Sequence, residues 1–245
     1  MNRIEWSTEA ISRFLDAGVV QYCGQSSVDL VAGYFGEFQP RRTGELEKNR
    51  RSDRSRRQVR RVGFTGRFFD TLTESNRGSD VIPNERDLAA ISCLSIRISG
   101  DMVGSLLSVR PQLEECLNGV GLDRASEIWN VEKSCFEEGA PLSKARQLVG
   151  TLAGFGETIT YKLFAAVFPH LLPVKDTWIV DLMSPSEEAN WWMSWSSVAT
   201  EDLRNLLEGI RSDASRLNSE VPHKLSLLRV VDVVLWNAEF TRRNR

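Results

Sequence analysis

Histidine is almost absent from this 245-residue chain: His170 and His223 are the only two. A His-based catalytic triad or a multi-histidine metal centre is therefore poorly supplied. Cysteine is scarce as well. Cys23, Cys93, Cys116 and Cys135 stand at intervals of about twenty residues or more, with no close pair and no histidine beside them. Zinc and iron–sulfur ligation uses clustered spacing, so these read as reduced thiols and no metal is expected. Long apolar runs are missing too. None approaches the ~18 residues of a membrane span, and the N-terminal "MNRIEWSTEA" lacks the apolar stretch of a signal peptide. A soluble cytoplasmic protein with no membrane partner is the expectation. At 41% hydrophobic residues the chain can bury a real core, as one larger domain or as two small lobes sharing a cleft.

Charge is present but unevenly placed. Residues 40–67, "PRRTGELEKNRRSDRSRRQVRRVGFTGR", hold 11 Lys or Arg against 3 Asp or Glu, a local +8, so a net charge of −2 leaves about −10 for the remainder. Arg56, Arg57, Arg60 and Arg61 form its densest run, and Arg67 closes it. Each phosphate that such a block neutralises releases counterions, and guanidinium grips phosphate through paired hydrogen bonds. The block reads as a basic loop segment with nucleic acid as its leading partner. A solvated loop is the other reading.

Helical periodicity dominates elsewhere. "STEAISRFLDAG" offers Ser7 or Thr8 as a cap and Ile11, Phe14 and Leu15 on one face, with Gly18 as its stop. "VVQYCGQSSVDLVAGYFGEFQP" fits either strand or helix. Further helices are expected from Asn84 through Ile98, at about 102–118, 123–138 and 142–152, over "TEDLRNLLEGI", and over the nearly all-apolar "KLSLLRVVDVVLWNAEF", which reads as a buried central helix. Asp232 in that last segment needs a partner, and Arg229 three residues earlier supplies one. The fold class is mainly α, with room for a short strand element near the N-terminus.

The chemistry concentrates in "LAGFGETITYKLFAAVF" and the "PVKDTW" that follows. Gly154 and Gly156 flank Phe155 in a turn too tight for side chains at the glycines, and a helix starts behind it. Main-chain N–H groups at such a helix start can hold a phosphate without base preference. Asp176 stands 20 residues after Gly156, at the start of another helix. There it can cap, or it can do chemistry.

These residues resemble the helix-hairpin-helix DNA glycosylase superfamily, in which a Leu-x-Gly-apolar-Gly hairpin is followed by a helix and by a Val-Asp-Thr carrying a catalytic aspartate. "LAGFG" matches the hairpin within a helix-hairpin-helix over 142–168, and "VKDT" matches the aspartate motif with Lys175 inserted. The close match covers about 148–182. "FTGRFFD", "DLAAISCLS" and "KLFAAVFPHLLPVKD" are similar to a bacterial family that includes a phage-defence DNA glycosylase acting on modified cytosine. The resemblance implies one bilobal glycosylase-like domain over 1–245, monomeric and acting on double-stranded DNA that contains a modified base. Gly154, Phe155, Gly156 and Thr158 would contact phosphate, and Asp176 would be catalytic. Bifunctional members carry a lysine two residues past the second glycine. Thr158 stands there, which implies excision without strand cleavage unless Lys162 or Lys175 substitutes. No cofactor is required, and a monovalent cation at the hairpin is the one ion the resemblance suggests.

Cleaving an N-glycosidic bond builds positive charge on deoxyribose, which a fixed carboxylate stabilises. The flipped base needs a pocket, for which Tyr22, Trp178 and Lys175 are the candidates, with Phe35, Phe38 and the tryptophans of "WWMSW" as further aromatics. Asp181 reads as a surface or ion-pair residue. Two functions remain open: a monofunctional DNA glycosylase serving base excision or antiviral defence, and a non-catalytic helix-hairpin-helix protein that binds DNA or, through the basic block, RNA.

Overall fold

The computed structural model describes residues 3–36, 64–75, 80–183 and 190–244, and these are mainly α-helical. Arg56, Arg57, Arg60, Arg61 and Phe38 lie outside the described residues, as does most of the basic segment. The helices are α1 (Thr8–Arg13), α2 (Val19–Cys23), α3 (Ser27–Tyr34), α4 (Arg67–Ser75), α5 (Glu85–Ser92), α6 (Gly100–Ser108), α7 (Arg110–Leu117), α8 (Pro141–Gly150), α9 (Glu157–Val167), α10 (Thr177–Leu182), α11 (Trp191–Val198), α12 (Glu201–Leu217) and α13 (Leu227–Arg243).

Short polar side chains start most of them. Ser7, Ser99, Asn190, Thr200 and Ser226 each accept a first-turn amide, and Ser26 with Asp29 and Asn84 with Asp87 form reciprocal capping boxes. Where expectation fails, a local cause is visible. Gly18 does not stop the first helix: its backbone is right-handed helical, a π-turn spans Phe14–Gly18, and the chain ends its turn at Gly24, whose φ is +75°. The helix expected from Asn84 to Ile98 ends at Ser92. The one expected over 102–118 is two, broken at Val109 ahead of Pro111, which cannot donate its missing N–H to the preceding turn. The one expected over 123–138 is turns and a single 3₁₀ turn at Lys133–Phe136. There Asp123 accepts from Ala125 N (2.9 Å) and Ser126 Oγ (3.0 Å), side-chain bonds that compete with a helical ladder. The ambiguous stretch after Val19 is helical through Tyr34, and the N-terminal strand reduces to one parallel bridge between Ile4 and Met183.

The buried apolar side chains form one connected cluster. α13 is its spine and packs against α2, α3, α10 and α12, while α9 packs against α4, α5 and α8. At the join lies Arg229, with 5% of its side chain exposed. Its Nε donates to both carboxylate oxygens of Asp70 on α4 (3.1 and 3.2 Å), its Nη1 pairs with Asp232 one turn on, and its Nη2 donates to Tyr34 on α3 (2.6 Å). The pair expected between Arg229 and Asp232 is therefore present, inside a larger cluster. Burial pushes the Asp70 carboxyl up to about 6, against the pull of Arg229.

Removing this guanidinium strands two buried carboxylates. Arg229→Met is expected to lower the stability by about 3–5 kcal/mol, read as a fall in the urea midpoint at unchanged slope. A midpoint within error of wild type would show that the cluster contributes nothing.

Candidate functional site

The loop joining α8 to α9 is anchored from within. Phe155 is buried, its N–H donates to Leu152 O (3.0 Å), and Thr160 Oγ1 reaches back to Gly156 O (3.1 Å). Gly154 has φ +88°, and a Cβ there would meet Met102 Cγ at 2.7 Å, so glycine is required twice over. Gly156 differs from the expectation of a tight fit. Its φ is −65°, and a Cβ would meet nothing within 4 Å, because the position faces open space. As the cap of α9 it offers no side chain, and the amides of Glu157, Thr158 and Ile159 find no acceptor among the described residues. Unpaired first-turn amides at an exposed helix start form an anion-binding surface.

Asp176 is tied to α9 through Lys162. Its Oδ1 accepts from Trp178 N (3.1 Å) and caps α10, and its Oδ2 accepts from Lys162 Nζ (2.9 Å). The carboxylate keeps 21% of its side chain exposed, whereas Lys162 keeps 5%. Lys162 lies four residues past Thr158, hence on the same face of α9 one turn deeper. Capping and ion pairing thus hold one carboxylate from two sides with an edge left to solvent. Lys175 turns away from it. Its Nζ pairs with Glu157 (2.7 Å) and lies 4.8 Å over the Tyr161 ring, flanking the start of α9.

Beside Asp176 the first turn of α10 presents Trp178 to the outer end of α13. Trp178 stacks on Trp236 (5.6 Å, 12°) and on Phe240 (6.5 Å, 27°), and Phe64 closes edge-on against Trp236 and Phe240 (5.0 and 5.1 Å). All four rings are only partly buried. Arg243 lies 4.7 Å over Trp178 and pairs with Glu239, whose carboxylate also takes Arg242 and the Tyr22 hydroxyl. Tyr22 and Trp178 therefore share one end of α13, linked through Glu239 and Arg243. Burial and the Glu239 charge push the Tyr22 hydroxyl up to about 12, while the hydrogen bond from Arg242 holds Glu239 down to about 2.

Other expected site residues are elsewhere. Arg67 donates to the carbonyls of Phe35 (3.2 Å) and Gly36 (2.7 Å) and to Glu220 (2.7 Å), so its guanidinium fastens the fold. Phe35, Trp191, Trp192 and Trp195 are core. Asp181 is exposed and faces Arg243 at 3.7 Å, as an ion-pair residue should. Sequence reasoning missed Trp236 and Phe240, reading them as part of an all-apolar helix. Their i, i+4 spacing next to Arg242 and Arg243 was the available signal.

A family model described as a family of unknown function, DUF6308, matches residues 29–239. No curated protein and no solved structure matches the chain.

Two outcomes follow from this geometry. Gly154→Ala is expected to destabilise the fold by about 1–2 kcal/mol through its left-handed backbone, while Gly156→Ala, with open space at its Cβ, leaves the urea midpoint nearly unchanged. Equal effects would contradict the assignment. Glu239 has a folded value below the ordinary 4.5, so its contribution is complete above that pH and is lost as pH falls towards about 2. Glu239→Gln should cost about 1–3 kcal/mol at neutral pH, with the gap from wild type closing across that acid window in urea titrations. A gap independent of pH would show that Glu239 is not held by these cations.

Proposed function

The chain belongs to the DUF6308 family, and we propose that it is a monofunctional DNA glycosylase that excises a modified base, a modified cytosine being the leading candidate, from double-stranded DNA and leaves an abasic site. The observation that carries this reading is Asp176: a part-exposed carboxylate fixed by Trp178 N and Lys162 Nζ, 20 residues beyond Gly156 and adjoining a part-exposed aromatic stack. Its neighbours suit the three tasks of base excision.

Binding comes first. The unpaired amides at the start of α9, with Lys175 beside them, suit a backbone phosphate, and the bare Gly156 lets that phosphate approach. The carbonyls of Thr151, Ala153 and Gly154 accept no hydrogen bond among the described residues, so this turn has oxygen donors for a monovalent cation, which would brace the loop against the phosphate. Next, the extruded base requires a flat apolar surface, which Trp178, Trp236 and Phe240 supply. Last, bond cleavage builds positive charge at the sugar, which the Asp176 carboxylate stabilises while it orients the attacking water. Lys162 holds that carboxylate in place. With the Lys162 Nζ buried in that pair, the Lys175 Nζ paired with Glu157 and Thr158 at the hairpin position, none of these three positions presents an unpaired amine for attack on the sugar, which supports excision without strand cleavage. Antiviral defence and base-excision repair both use such an activity.

The test is a duplex oligonucleotide carrying one modified cytosine, incubated with protein, treated with alkali, and compared with the unmodified duplex. Strand breaks at the modified position after alkali, with no protein trapped on the DNA by borohydride, are expected. Asp176→Asn keeps the cap, since Asn and Asp cap about equally well, yet should slow excision by about 100-fold or more. DNA binding without alkali-labile sites on a panel of modified bases, or full activity in Asp176→Asn, would replace this reading with that of a non-catalytic DNA-binding protein.

A further inference from the structure

The largest cavity among the described residues, about 690 Å³ between α12 and the start of α13, is lined by Trp129, His170 and Leu227 among others, and carboxylates outnumber the lysine and arginine side chains around it. Unbalanced positive charge lies instead on α8, at Arg146.

Arg146 is half-buried. Its guanidinium lies over the rings of Tyr161 on α9 (5.3 Å) and Trp192 on α11 (5.8 Å), which meet edge-on at 5.2 Å. Ring faces hold a planar cation in one orientation, so little side-chain freedom is left to lose when it binds. Among the described residues this guanidinium has no carboxylate partner and no hydrogen-bond acceptor. Two donors in this contact are unpaired in the interior: Arg146 Nε and the Nε1 of Trp192, a side chain with no exposed surface. Buried donors without acceptors are rare, because each forfeits its bond to water. Nothing inside the described fold quenches the positive field here, so an acceptor must come from the solvent side.

The neighbouring charges do not cancel it. Lys175 Nζ lies 4.8 Å over the same Tyr161 ring and pairs with Glu157, so two cations meet one carboxylate. Burial pushes the Tyr161 hydroxyl up, which keeps it neutral and adds no counter-charge. Tyr161 stands one turn past Glu157, ~6 Å along α9. The donors therefore form one series, from the open amides at the start of α9 through Lys175 to Arg146.

We propose that Arg146 grips a second phosphate of the DNA backbone, neighbouring the one held at the start of α9, with Tyr161 and Trp192 as the ring platform that orients its guanidinium. This rests on the DNA-binding half of the function proposed above and not on catalysis by Asp176.

The test is the salt dependence of binding to an unmodified labelled duplex, read by fluorescence anisotropy on the full chain. Each phosphate contact adds about 0.9 to the slope of log affinity against log salt, so Arg146→Gln should flatten that slope by about 0.9 and weaken binding about tenfold at 0.1 M salt. Arg146→Lys keeps the charge without the planar fork, and is expected to hold the slope while binding less tightly. Arg216→Gln removes an exposed cation on α12 and should leave the slope as it is. Millimolar inorganic phosphate at constant ionic strength should not displace the duplex; displacement would assign the site to a free oxyanion instead. An unchanged slope in Arg146→Gln, the same flattening in Arg216→Gln or Arg146→Lys, or no duplex binding at all would overturn the proposal. Loss of folding in Arg146→Gln would do so too, by making the guanidinium a structural group. Excision with an unchanged slope sinks this inference alone, and a flattened slope without excision sinks only the glycosylase reading.

Discussion

Arg229 draws three separated parts of the chain onto one guanidinium: Tyr34 from α3, Asp70 from α4 and Asp232 from its own helix. A buried charge is costly unless its partners are all in place, so this cluster specifies how α3 and α4 dock on α13 more than it adds net stability. The Gly66 carbonyl also accepts from Arg229 (3.3 Å), and a Cβ at Gly66 would meet the Tyr34 hydroxyl at 1.8 Å. The chain therefore passes this point as bare backbone. Two residues earlier, Phe64 stacks on Tyr34 and meets Trp236. One electrostatic knot thereby sets where the aromatic surface begins.

From that knot α13 serves two regions. Its first turn, with the amide of Leu227, faces the large cavity, and its last two turns carry Trp236, Glu239, Phe240 and Arg243 to Trp178. α9 is divided in the same way. Its start is the exposed turn at Gly156, its middle holds Lys162 against Asp176, and its C-terminal end leads to Pro169 and His170 at the cavity wall. Two buried helices thus place two chemically different surfaces at opposite ends of one core. Rigid elements position such groups more precisely than loops can.

The electrostatics of the two regions also differ in kind. At Asp176 one carboxylate and one ammonium are matched at 2.9 Å, and what is left over is geometry: an exposed oxygen edge beside stacked rings. Around the space lined by Trp129, His170 and Leu227, carboxylates outnumber the lysine and arginine side chains, and Arg204 and Arg229 each serve more than one carboxylate. The first arrangement suits stabilisation of a cation that forms during a reaction.

Much of this was legible in the sequence where the determinant is local. Helix caps at Ser7 and Asn84, the turn between α8 and α9, the capping carboxylate of Asp176 and the Arg229–Asp232 pair all depend on residues within four positions of one another. Residues 123–138 were misread because periodicity does not count the side-chain bonds of Asp123 or the reach of Arg124 to Asp87. Arg67 looked like a phosphate ligand because sequence gives its charge but not Glu220, which lies 153 positions away. The partner of Asp176, the join of Phe64 to Trp236 and the cavity between α12 and the start of α13 came only with the tertiary structure. Those contacts join positions far apart in the chain, and packing of the one connected core, which no local pattern encodes, selects among their possible pairings.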